Sequence, residues 1–129
     1  MLLSKTYFSG VRGDEARLVQ VFEKHLLEQG WTVTREVEFC DLVAERPGQK
    51  LMVEAKGRTA APGLDVDTMY GQILRRMPIG ADDDSIRFAV VVPAGAAERA
   101  ALRVSPRVRE LLRITVYSVT DTDRVVGPL

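Results

Sequence analysis

Cys40-Asp41-Leu42-Val43-Ala44-Glu45-Arg46-Pro47-Gly48-Gln49-Lys50-Leu51-Met52-Val53-Glu54-Ala55-Lys56 is the stretch that decides how this chain reads. Pro47-Gly48 is a turn pair, because proline presets φ at one corner and glycine accepts the conformation of the other. The segments on either side, 40–46 and 50–56, read as two strands of an antiparallel hairpin centred on that turn. Symmetry about the turn sets Asp41 opposite Glu54, Val43 opposite Met52, Glu45 opposite Lys50 and Phe39 opposite Lys56. Side chains alternate along a strand, so Cys40 and Ala55, Leu42 and Val53, and Ala44 and Leu51 fall on the other face. That second face is wholly apolar and is a core face. The first carries two opposed carboxylates, with a lysine two residues along.

Opposed like charges destabilise a sheet. Two carboxylates this close force one of them to hold a proton unless a cation lies between them. A hard divalent ion ligated by oxygen reverses the penalty, with Asp41, Glu54 and the backbone carbonyl of Ala55 as ligands. Lys56 shares the face of Glu54, so its ammonium can reach an attacking water or a phosphate.

Working outward, Leu18, Phe22 and Leu26 recur every four residues, which predicts a helix from about Asp14 to Gln29 ended by Gly30. Glu15 lies about 20° from Phe22 around that helix, inside the apolar stripe. An inward carboxylate near a helix start needs a partner, and it is expected to point onto the sheet face of Asp41 and Glu54. Residues 31–39 alternate as a strand, with a bend within 34–40 before the next one. After a Gly/Pro/Ala loop from Gly57 to Leu64, a second helix is predicted from about Val66 to Met77. Asp82-Asp83-Asp84-Ser85 reads as a solvated turn, and Ile86–Val92 as a strand buried on both faces. Residues 96–103 read as helical. Ser105-Pro106 starts another helix running to Arg113, and Ile114–Val119 is a strand. The order α-β-β-β-α-β-α-β predicts one α/β domain over 1–129 with a central mixed sheet flanked by helices, its core at about 9–119 and residues 120–129 unassigned.

Composition excludes other chemistries. The 129 residues suffice for one domain, and 18 basic residues balance 18 acidic ones, so nucleic-acid binding must come from a local patch. One histidine, His25, and one cysteine, Cys40, leave no zinc site of the usual ligands. His25 sits mid-helix between Lys24 and Glu28, reads as solvated, and is a poor candidate for a triad. A single cysteine fits a reducing, cytoplasmic setting. No apolar run reaches membrane-span length, and Ser4 and Lys5 interrupt any signal-peptide core after Met1-Leu2-Leu3, so no membrane partner is expected. Arg99, Arg103, Arg107, Arg109 and Arg113 form a basic run over two helix faces. Arg58, Arg75 and Arg76 flank the carboxylates more closely and are the candidate phosphate contacts.

Glu15, then Asp41, then Glu54-Ala55-Lys56, then a helix with Gly71-Gln72 resembles the PD-(D/E)XK nuclease superfamily of restriction-endonuclease-like fold, in its Mrr-like or Holliday-junction-resolvase-like branch. The resemblance spans about residues 9–119, with Cys40 where the motif often has proline. It implies an α-β-β-β-α-β core in which Asp41 and Glu54 bind Mg²⁺, with Mn²⁺ substituting, and Lys56 positions or activates water. Glu15 then matches the family's acidic residue in the first helix, and Gln72 the glutamine of the helix after the motif. The implied activity is metal-dependent hydrolysis of DNA phosphodiesters in restriction, repair, recombination or a mobile element. The alternative is a catalytically silent nucleic-acid-binding or protein-interaction module of the same fold. Cleavage of both strands requires two active sites, so a homodimer is expected. With no separate specificity domain, selectivity would come from loops, DNA shape or a partner protein.

Overall fold

The apolar face that the hairpin register creates must be covered, and the first helix covers it. The computed structural model describes residues 9–37, 40–58, 60–77 and 85–129, with the side chains of 9–13, 36, 37 and 40 outside that description. Helix α1 is Ser9–Glu28, followed by strands β1 (Thr32–Val37), β2 (Cys40–Arg46) and β3 (Gln49–Ala55). Helix α2 (Pro62–Arg76), strand β4 (Ile86–Pro93), helices α3 (Ala96–Ala101) and α4 (Pro106–Leu112), and strands β5 (Ile114–Val119) and β6 (Val125–Val126) complete the chain. The strands form one mixed sheet in sequence order, β1-β2-β3-β4-β5-β6. β1, β2 and β3 pair antiparallel, β3, β4 and β5 pair parallel, and β6 returns antiparallel on β5. This is an α/β domain. None of its described helices is long and apolar enough to cross a membrane.

The hairpin register is as expected: Leu42 pairs with Val53, Val43 with Met52, Ala44 with Leu51 and Glu45 with Lys50. The two faces separate as the alternation requires. Leu42, Ala44, Leu51, Val53 and Ala55 pack with Leu18, Phe22 and Leu26 of α1, whereas Val43 and Met52 pack with Val66, Met69 and Ile73 of α2. Phe22 and Leu18 are fully buried, each contributing about 1.5–3 kcal/mol through removal of apolar surface from water. β4 is buried along most of its length because helices cover both of its faces.

Several boundaries differ from expectation. α1 begins at Ser9, five residues before Asp14. α2 begins at Pro62 rather than Val66, since proline at the first helical position needs no N–H partner. The bend expected within 34–40 falls between β1 and β2, where Val37 pairs with Cys40; residues 38 and 39 lie outside the described residues. Ser105 caps α4 by accepting a hydrogen bond from the N–H of Val108 at 3.3 Å. The unassigned tail supplies β6. The pairing of Phe39 with Lys56 and the Asp82–Asp84 turn lie outside the described residues.

Two side chains depart from their expected surroundings. His25 is half-buried rather than solvated, stacked on Phe22 at 5.5 Å, and burial pulls its pKa down. Arg109 is buried rather than part of a basic surface. Its guanidinium donates to the carbonyls of Val104, at 3.0 Å, and Leu129, at 2.7 Å.

Candidate metal and phosphate site

The site forms where β2 leaves β3. Lys50 N–H and Lys56 N–H both point away from β2, donating to the carbonyls of Ser85 and Val91. The backbone groups of the odd-numbered residues 51, 53 and 55 therefore point to β2. The ladder between the two strands stops at Leu42–Val53. The next hydrogen bond from β3 goes to a side chain, with Ala55 N–H donating to Asp41 Oδ2 at 2.7 Å. The N–H and C=O of one strand residue point the same way, so the Ala55 carbonyl opens on the same notch.

Asp41 and Glu54 converge there. Glu54 lies on the α2 face of β3 with its side chain 12% exposed. Its pKa is pushed up to about 7, chiefly by burial and next by the Asp41 charge. The charge of Arg76 and its hydrogen bond to Glu54 oppose that rise, and Glu15 adds a smaller upward push. The opposed acids thus carry the penalty that the register implied.

Arg76 is the partner that sequence reasoning misplaced. It was expected outside the carboxylates as a phosphate contact. Instead its Nη1 donates to Glu54 Oε1 in a half-buried ion pair. The signal was present: Met69 and Ile73 lie on the inner stripe of α2, and Arg76 follows Ile73 by three residues, on the same side. Gln72 precedes Arg76 by four residues and shares that side of the helix, half-buried. Arg75 is exposed.

Lys56 is half-buried immediately beyond β3, on the face of Glu54 by strand alternation. Among the described residues no carboxylate stands within ion-pair distance of it. Arg58 points away from this cluster, and its Nη2 donates to Asp121 Oδ1 at 3.2 Å. Its backbone N–H donates to Asp14 Oδ2. Asp14 also holds Arg17 at 3.1 Å, so the residue before Glu15 ties α1 to the loop after β3. Sequence reading assigned Asp14 no such role.

Glu15 arrives by a different route from the one expected. Its helix lies on the opposite face of the sheet, because Leu18, Phe22 and Leu26 follow the apolar side of β2 and β3. Glu15 meets the end of β3 at Gly57, where a Cβ would lie 2.7 Å from the Glu15 nitrogen. Glycine permits that approach, and the Glu15 charge is felt at Glu54.

The donor set suits a hard cation: two carboxylates and a carbonyl, all oxygen, around a carboxyl whose proton affinity is raised by burial and by the Asp41 charge. Among the described residues no three His, Cys, Asp or Glu side chains gather closely enough to hold an ion by themselves. The backbone and solvent would complete the shell, and Arg76 would have to yield its place on Glu54. No family model, curated protein or solved structure matches this chain.

Proposed function

We propose that the chain is a metal-dependent DNA endonuclease of restriction-endonuclease-like architecture. The observation that carries this reading is the convergence of Asp41 and Glu54 where β2 leaves β3, with Asp41 Oδ2 on Ala55 N–H and the Asp41 charge raising the Glu54 pKa. The α-β-β-β-α-β order from α1 to β4 supports it, as does Gln72 on the inner side of the helix that follows. Asp41, Glu54 and the Ala55 carbonyl would hold Mg²⁺ or Mn²⁺, with Glu15 adding negative charge from the end of α1. The ion, when bound, supplies Lewis acidity at the scissile phosphate.

The remaining work falls to the chain's own groups. Lys56 presents an ammonium without a carboxylate partner among the described residues, suited to hold the attacking water and to stabilise charge gathering on the phosphate oxygens. Gln72 orients groups at the same place by hydrogen bonding. Exposed Arg75 contacts the backbone phosphates, and Arg76 joins it once released from Glu54. Arg58, tied to Asp121, is a weaker contact. One chain offers one such site, so cleavage of both strands uses a homodimer, with sequence choice left to DNA shape or a partner protein.

Single-turnover cleavage of supercoiled plasmid in Mg²⁺ or Mn²⁺ tests this. Lys56→Ala should lose roughly 10²–10⁴-fold in rate while retaining DNA affinity. Wild-type rates in Lys56→Ala would end the proposal. Arg76 favours a second reading, a silent binding module, because a guanidinium already compensates the Glu54 charge. That reading predicts no Mn²⁺ binding by calorimetry and no cleavage in any divalent ion.

A further inference from the structure

A second concave site lies on the opposite face and toward the opposite end of the sheet. α1 ends at Glu28, and Gly30 turns the chain at φ +87°. The helix therefore stops short of the N-terminal ends of the parallel strands and leaves that part of its face uncovered. The resulting cleft measures about 250 Å³ and is floored by Leu51 and Thr115. Trp31 and Tyr117 contribute aromatic surface, while Arg46 and Arg87 contribute positive charge. Lys50 and Glu54 are four residues apart on β3, about 13 Å along the strand, so this cleft is separate from the carboxylate notch.

Its electrostatics are one-sided. None of the described residues lining it is acidic. Arg87 has no carboxylate within ion-pair distance among the described residues. Arg46 is held in place: its guanidinium lies 4.1 Å from the Trp31 ring centroid. It donates to Gln49 Oε1 at 2.6 Å and to the Gln29 carbonyl at 3.1 Å. Two of its five N–H groups are thus accounted for, and the fork is fixed before any ligand arrives. Tyr117 is braced from behind by Phe22 at 4.9 Å. The site therefore offers rigid aromatic surface beside two guanidinium cations, the combination that recognises a flat ring carrying a phosphate.

We infer that this cleft binds a single nucleotide unit, its phosphate held by Arg46 and Arg87 and its base against Tyr117 and Trp31. The volume sets the size, because 250 Å³ lies just below the roughly 300–1,000 Å³ of ordinary ligand pockets. One nucleotide can seat there with its edge in solvent, but a dinucleotide cofactor cannot. The unit can be a free nucleotide or one residue of a single strand, and the inference does not depend on the carboxylate site.

Trp31 is the only tryptophan, so its emission reports on this cleft directly. The full chain, in chelator so that no divalent ion takes part, is titrated with adenosine monophosphate, with an oligothymidylate, with adenosine and with inorganic phosphate. Emission is corrected against free tryptophan amide. Saturable change with either nucleotide-bearing probe is expected, with adenosine and phosphate each at least about tenfold weaker. Response to the mononucleotide marks a free nucleotide as the source, and response to the oligonucleotide alone marks a strand. Arg87→Gln, at an exposed position, should weaken binding about tenfold without moving the urea midpoint. Asp41→Asn should leave binding unchanged. No saturable response to either nucleotide probe, equal response to adenosine, or unchanged affinity in Arg87→Gln overturns the inference.

Discussion

Glu54→Gln should change how stability depends on pH. The native carboxyl titrates at about 7 in the folded chain against a reference of 4.5. Between those values the folded state binds more protons than the unfolded one, so this group makes stability fall as pH rises. Its penalty is absent below the unfolded value and complete above the folded one. The full difference corresponds to about 3 kcal/mol, reduced by the side chain's remaining contact with solvent. Glutamine has no such titration. Arg76 and His25 are common to both proteins. The variant should therefore gain about 2–3 kcal/mol on the native protein between pH 5 and pH 8. In urea that is a relative midpoint shift of roughly 1–2 M. Urea denaturation at half-unit steps, in chelator, measures it. A difference that stays constant over the window refutes the reasoning. So does a native protein that gains on the variant as pH rises, since Arg76 would then outweigh burial and the Asp41 charge.

Saturating Mn²⁺ should raise the melting temperature of the native protein, with about 2.7 kcal/mol expected at a hundredfold excess over the dissociation constant, and Asp41→Asn should lose most of that gain by calorimetry. Gly57→Ala should cost about 1–3 kcal/mol in urea, because its Cβ meets the backbone of α1 rather than a yielding side chain. Arg109→Leu should cost about 2–4 kcal/mol in the same assay, since the carbonyls of Val104 and Leu129 lose a charged donor.

The hairpin was legible because a two-residue period and a Pro-Gly turn leave one register that buries an apolar face. Once Leu42 pairs with Val53, Asp41 and Glu54 come together without further information. The start of α1 was not legible, since Ser9–Gly13 carries no apolar stripe and two glycines. The layer occupied by Glu15 was half legible: its angular position does turn it inward, but which face α1 covers depends on tertiary packing. Arg76 and Arg109 were read as surface groups because charged residues usually are. Only the phase of α2 and the loose carbonyls around α4 draw them inside.

The departure of β2 from β3 divides the carboxylate pair between two regimes of local stability. Glu54 stands on a strand with hydrogen-bonded neighbours on both sides, in the middle of the sheet. Asp41 stands on β2, whose other neighbour is the edge strand β1, and the edge of a sheet opens at lower cost than its centre. Opening of β1 and β2 should therefore change the spacing of the two acids while the centre of the sheet stays closed. One proton records that opening. The Ala55 amide is protected by a carboxylate from β2 rather than by the backbone ladder. Its hydrogen exchange follows the opening of Asp41, while the amides of Lys50 and Lys56, bonded to the other side of β3, follow the unfolding of the whole.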